Sequence, residues 1–231
     1  MVELHWSGCE NVRDLGGLPL EGGGTVAERS LVRADSLTRL DEAGLVAAGK
    51  YGVSLVVDLR AEGETASPVH PFAGSPAYVN VPWVDVPLEA GSRLVDFYLR
   101  SVELNRGQVA RVLRAFAGAA AGPVVVHCAA GKDRTGITVA LLLSLAGVPR
   151  DVVVADYAHS EVALGYAALL EILDEEHRAL VREYARSAPE TITAFLDRID
   201  EHGGARRYLG ERCGLSDDEL DAVRRRLATP G

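Results

Sequence analysis

The chain reads as an α/β domain, a central and mostly parallel sheet with helices on both faces and a helical C-terminal excursion. Three observations predict it. Short apolar runs at Ser54–Asp58, Tyr78–Pro82 and Val124–His127 alternate with segments of helical period, the pattern of strands joined by crossover helices. Val124-Val125-Val126 passes within a few residues into a second apolar segment, Ile137 to Leu143, as a buried strand, a tight loop and a helix would. After Asp151 the signals are helical throughout.

Residues 1–35 are glycine-rich, and Gly16-Gly17 and Gly22-Gly23-Gly24 mark turns between short strands or within a hairpin. Arg13, Asp14 and Arg33 form either a structural charge network or a wall for substrate. Leu37 to Lys50 has a helical face of Leu40, Ala43, Gly44 and Ala47. Arg93 to Leu104 and Gln108 to Ala119 carry the same period, and Val124–His127 is the central strand. The next helix runs from Thr135 to about Ala146, where Gly147 and Pro149 stop it. Ala163 to Tyr184 reads as one long helix, Pro189 opens another, and Ser216 to Glu219 is a capping box for the last. Val162 to Leu173 is apolar nearly all round. That fits a buried helix, an oligomer contact or a lid within residues 161–185.

With 231 residues, 48% hydrophobic and 25% charged, the chain is expected to form one domain over residues 1–231, the part from about 151 onward being helical. A net charge of -9 argues against generic nucleic-acid binding. Three cysteines imply no disulfide framework, and six scattered histidines show no ligand spacing, so neither a metal nor a cofactor is expected. Met1 to Cys9 is too polar for a signal peptide, and no apolar run has the length of a membrane span. The expected location is the cytoplasm, with no integral membrane segment.

The chemistry concentrates in His127-Cys128-Ala129-Ala130-Gly131-Lys132-Asp133-Arg134-Thr135-Gly136, between the central strand and its helix. A loop there turns the backbone N–H groups of residues 129–134 inward at a helix N-terminus, a nest for a tetrahedral oxyanion. That environment lowers the pKa of a cysteine, so Cys128 is expected to be a thiolate beneath the anion. Arg134 offers a planar fork for two phosphate oxygens, and Lys132 adds positive charge at the rim. The Thr135 hydroxyl is expected to donate to the Cys128 sulfur. Gly131 and Gly136 let the backbone turn, and His127 fixes the loop by bonding to backbone. The chemistry that follows is transfer of phosphoryl to Cys128 and hydrolysis of the phosphocysteine.

This decapeptide resembles the phosphate-binding loop of cysteine-dependent tyrosine phosphatases. Asn11-Val12-Arg13-Asp14-Leu15-Gly16-Gly17, Arg33-Ala34-Asp35-Ser36-Leu37, Val57-Asp58-Leu59-Arg60 with Glu64, Ala188-Pro189-Glu190, Gly203-Gly204 and Tyr208-Leu209 are similar to bacterial members of the mycobacterial PtpB type. The resemblance spans nearly the whole chain. It implies the tyrosine phosphatase fold, a mobile lid, acceptance of phosphoinositides besides phosphoproteins, and secretion without a leader as an alternative to the cytoplasm.

A phosphoester leaving group needs a proton. Four aspartates compete for that role. Asp58 ends a strand at the edge shared with Cys128, and the resemblance also points to it. Asp133 lies in the loop, Asp85 on a loop able to move, and Asp96 in a helical setting. The expected substrate is a phosphoprotein, phosphotyrosine first. Dual specificity or a phospholipid headgroup is the alternative, since Lys132 suits a second phosphate unless it pairs with Asp133. An inactive phospho-reader, or a redox protein pairing Cys128 with Cys9 or Cys213, are the competing classes.

Overall fold

The structure, a computed structural model, describes residues 1–67, 69–87, 93–175, 178 and 186–229. Six strands form the main sheet: β1 (Val2–Glu3), β2 (Arg13–Asp14), β4 (Leu31–Ala34), β5 (Leu55–Asp58), β6 (Tyr78–Asn80) and β7 (Val124–His127). Their order is β1-β2-β4-β7-β5-β6. The four strands β4, β7, β5 and β6 run parallel, and β1 and β2 extend the β4 edge antiparallel. Ala34, His127 and Asp58 stand side by side at the C-terminal ends of three neighbouring strands. The chain leaves all three at one edge, where ligand crevices of such sheets lie.

Alternation along β7 divides the core. Val125 packs on one face with Trp6, Val32, Leu37, Val56 and Ala48 of α1 (Glu42–Tyr51). Val124 and Val126 pack on the other, with α3 (Leu94–Leu104), α4 (Arg106–Gly118), α5 (Asp133–Ala146) and α6 (Arg150–Ala163). That face also takes α8 (Pro189–Glu201), α9 (Gly204–Cys213) and α10 (Asp217–Leu227). Helices cover both faces, unequally. The helix α5 is apolar nearly all round because it runs between sheet and outer helices; all of it but Asp133, Arg134 and Ser144 is buried. A second, two-stranded sheet pairs β3 (Thr25–Val26) with β8 (Ala228–Thr229). The capping box of α10 forms, with Ser216 Oγ accepting from Glu219 N–H at 3.2 Å and Glu219 accepting from Ser216 N–H at 2.8 Å.

Two expected helices take another form. Leu37–Arg39 is a 3-10 turn, and α1 starts only at Glu42, because the Asp41 carboxylate accepts from Gly44 N–H at 2.9 Å and caps it there. The long helix from Ala163 is interrupted: α6 ends, Gly165 takes a left-handed φ of 64°, and α7 (Tyr166–Ile172) begins. Val162 and Ile172 are 75% and 82% exposed, so this stretch is not a buried core helix. The remainder of the expected helix and lid span, residues 176, 177 and 179–185, lies outside the described residues. Among the described residues no helix is long and apolar enough to cross a membrane.

Candidate active site

Cys128 follows β7 directly and α5 begins at Asp133, so the loop bridges the C-terminal edge of the sheet and a helix N-terminus. Its carbonyls are tied down one after another. The Cys128 oxygen lies 3.1 Å from His127 Nδ1. The Ala129 oxygen accepts from Ser36 N–H at 2.9 Å. Asn11 Nδ2 donates to the Ala130 oxygen at 3.0 Å, and Arg33 Nη2 to the Gly131 oxygen at 2.6 Å. In a planar trans peptide the N–H points opposite to the C=O. Four carbonyls held from outside therefore turn the N–H groups of Ala129, Ala130, Gly131 and Lys132 to the inner side. Gly131 makes this possible with φ +67°; a Cβ there would stand 2.3 Å from the Ala34 oxygen. Gly136 does not turn the chain. It lies in α5, where a Cβ would meet the Tyr157 ring at 2.9 Å.

Behind the loop stands Asp156 of α6. Its carboxylate holds Arg33 Nη1 at 2.6 Å and Arg13 Nε at 2.7 Å, and Arg13 in turn bonds Asn11 Oδ1. Burial would raise the Asp156 carboxyl, but the two guanidiniums outweigh it and hold it below the usual range. The expected charge network is thus structural, and Asp14 belongs elsewhere: it accepts from Gly16 N–H at 2.7 Å, Arg29 N–H at 2.8 Å and the Tyr51 hydroxyl. Asp156 was not singled out from the sequence, and Asn11 and Ser36 entered only through the resemblance. The signal for Asp156 would have been an acid amid apolar residues of a helix, a position that needs a buried partner.

Cys128 is 3% exposed, at the floor of the loop, and all three cysteines are free. Burial first, then neighbouring carboxylates, pushes the Cys9 and Cys213 thiols up to about 12. Arg134 meets Glu64 with Nη1–Oε2 2.5 Å and Nη2–Oε1 2.9 Å. Burial works against the Arg134 charge, but Glu64 and the Cys128 sulfur outweigh it and raise its pKa. The Thr135 hydroxyl does not donate to sulfur. It is buried and has no hydrogen-bond partner. Lys132 is not a free rim charge: its side chain is 3% exposed, with Nζ 3.3 Å from Asp133 Oδ1 and 3.4 Å from the Arg186 carbonyl oxygen.

The four aspartates separate clearly. Asp58 is fully buried and accepts from Arg60 N–H at 2.9 Å, Arg60 Nη2 at 2.8 Å and the Tyr78 hydroxyl at 3.0 Å. Burial alone would raise its pKa, but the hydrogen bonds and charge of Arg60 hold it below the usual range. Held by Arg60 and sealed from solvent, this carboxylate sits in a setting that argues against the acid role that the sequence reading gave it first. Asp96 pairs with Arg93 at 2.9 Å in the first turn of α3. Asp85 is exposed and its charge reaches Arg134. Asp133 stands one-third exposed at the start of α5, accepting from the Tyr98 hydroxyl at 2.6 Å. Tyr166 of α7 has its pKa raised, by burial first and then by the negative charge of Asp133.

A family profile described as the tyrosine phosphatase family matches residues 4–229. The chain is 32% identical to a putative tyrosine-protein phosphatase of Cupriavidus necator over 68% of this chain and 63% of that protein, somewhat under two thirds of the relative's length. It is 30% identical to a tyrosine-protein phosphatase of Nostoc commune over 87% and 75%. With the triple specificity protein phosphatase PtpB of Mycobacterium tuberculosis it shares 29% identity over 74% of each chain.

Proposed function

Because the chain belongs to the tyrosine phosphatase family, we propose that it is a single-domain phosphatase that hydrolyses phosphomonoesters, phosphotyrosine in proteins first, through a phosphocysteine on Cys128. The observation that carries this reading is the row of four outward-tied carbonyls, which leaves a cup of N–H donors above one cysteine. Such a cup stabilises a thiolate and an equatorial phosphoryl oxygen by the same donors. The orphaned Thr135 hydroxyl supports it, since a buried donor without a partner is costly until the anion or thiolate arrives.

In the first step the Cys128 sulfur attacks phosphorus, the ester P–O bond breaks, and Asp133 delivers its proton to the leaving oxygen. Water then attacks the phosphocysteine, gives its proton to Asp133, and phosphate departs. Asp133 takes the acid role because it is the loop aspartate open to solvent, and Asp85 is the runner-up. Arg134 holds two equatorial oxygens through its free Nε edge while Glu64 keeps its far end. The lid reading within residues 161–185 is supported, in the described part, by Tyr166 of α7, whose hydroxyl feels the charge of Asp133 in the loop. Thiolate chemistry suits a reducing compartment such as the cytoplasm.

The deciding experiment is hydrolysis of an aryl phosphate with chelator present, for the wild type and Cys128→Ser. Turnover that needs metal, or survives the substitution, overturns the mechanism. Dual-specificity or phosphoinositide hydrolysis is the second reading, favoured by Lys132 beside the anion cup and by the relative named for triple specificity. A panel of phosphotyrosine, phosphoserine and phosphothreonine peptides and inositol phosphates separates the two.

A further inference from the structure

Two buried histidines stand behind Cys128, and one of them, His70, lies in no motif of the anion loop. Their contacts fix their protons. Phe72 N–H donates to His70 Nδ1 at 3.1 Å, so that nitrogen carries the lone pair and the ring proton is on Nε2. His70 Nε2 lies 3.1 Å from His127 Nε2, which must therefore accept. His127 then carries its proton on Nδ1 and donates it to the Cys128 carbonyl at 3.1 Å. One assignment satisfies all three bonds with both rings neutral. Burial, assisted by the neighbouring imidazole, pushes His70 down to about 3; burial pushes His127 down against the pull of Asp58. The rings lie 5.1 Å apart and only 28° from parallel, and Tyr78 packs on the far side of His70 at 4.5 Å.

We propose that His70 is a positioning residue for the anion cup: by donating to His127 it fixes the tautomer that holds the Cys128 carbonyl outward and aims the Ala129 N–H at the phosphoryl group. The proposal deepens the phosphatase reading and rests on it. In the other tautomer His127 would turn a lone pair toward the Cys128 oxygen. Two acceptors at that separation repel, the peptide rotates, and the first N–H of the cup leaves its place.

The same histidines and Asp58 have ligand atoms within 4.8 Å of one another, the spacing of a metal cluster. The donor set does not fit an ion. Ligation through both Nε2 atoms would put the His70 proton on Nδ1, against the Phe72 N–H. Asp58 is already held by the Arg60 guanidinium, which would repel the cation.

The test compares wild type, His70→Phe and His70→Gln. Phenylalanine keeps the ring and removes the donor; glutamine places an amide N–H near the lost Nε2. Alkylation of Cys128 by iodoacetamide is followed by mass spectrometry across pH, and binding of tungstate, a phosphate mimic, by calorimetry. Imidazole 15N shifts of the wild type report the tautomers directly. His70→Phe is expected to raise the alkylation midpoint by about one pH unit and weaken tungstate about tenfold, while His70→Gln recovers most of both. Wild-type values in His70→Phe overturn the proposal, as does a wild-type His127 protonated on Nε2, or zinc binding that shifts both Nε2 signals. If His70→Phe does not fold, the wild-type tautomer and the glutamine variant decide. A wild type that neither binds tungstate nor cleaves aryl phosphate sinks the phosphatase reading instead.

Discussion

Glu64 grips Arg134 end-on, through both terminal nitrogens, at 2.5 and 2.9 Å. That grip leaves the Nε edge of the guanidinium open for two phosphate oxygens and prevents the side chain from swinging. Glu64 is itself fixed, accepting from Ala61 N–H at 2.9 Å at the head of α2 (Glu62–Thr65). The acid six residues beyond Asp58 is therefore part of the anion site, although it entered the sequence reading only through a resemblance.

Glu64→Gln should lower kcat/KM on aryl phosphates by about tenfold with little change in melting temperature, because a partly exposed pair adds little stability but sets an aim. Steady-state kinetics beside a thermal melt checks this. The Arg134 pair holds the Glu64 carboxyl below its usual pKa. The aim is therefore kept above the ordinary carboxylate range and lost as pH falls through the depressed value. Unchanged kcat/KM in the variant would remove Glu64 from the site.

Asp133→Asn should slow phenyl phosphate far more than p-nitrophenyl phosphate, by about 10²-fold against a few fold, since a good leaving group departs without a proton. An equal loss on both substrates would pass the role to Asp85, whose Asn variant is the control.

Asp58→Asn should cost stability before chemistry. It leaves the buried Arg60 without its anion, a loss of about 3 kcal/mol in denaturant unfolding. A folded pKa below the unfolded value means that Asp58 stabilises above about pH 4 and stops doing so as pH falls through the folded value. The gap between wild type and variant should hence shrink in acid. A gap that widens there, or a loss confined to poor leaving groups, would restore Asp58 as the acid.

Asp156→Asn should do both kinds of damage. It releases Arg33 from Gly131 and Arg13 from Asn11, so unfolding should move by about 3 kcal/mol and tungstate binding should weaken together. Intact tungstate affinity in a destabilised variant would show that the loop holds its shape without this acid.

Much of the frame was legible along the chain. The continuous apolar run of Val124–Val126, the apolar α5 and the Ser216 box are local signals, and each formed where expected. The helix through Ala163 was misread because apolar residues continue across Gly165, and one glycine weighs little against a strong period. The partners of the Lys132 and Thr135 side chains were not legible for another reason: both depend on where a side chain points once α5 and the Arg186 segment are packed.

What the sequence determined alone is the strand, loop and helix that bring Cys128 to a helix N-terminus, because strand period, glycine and helix propensity act within a few residues. The tertiary structure alone decided what holds that loop. Asn11, Arg33, Ser36 and Asp156 come from positions up to about a hundred and forty residues apart, and a carbonyl does not specify in sequence which distant donor will reach it.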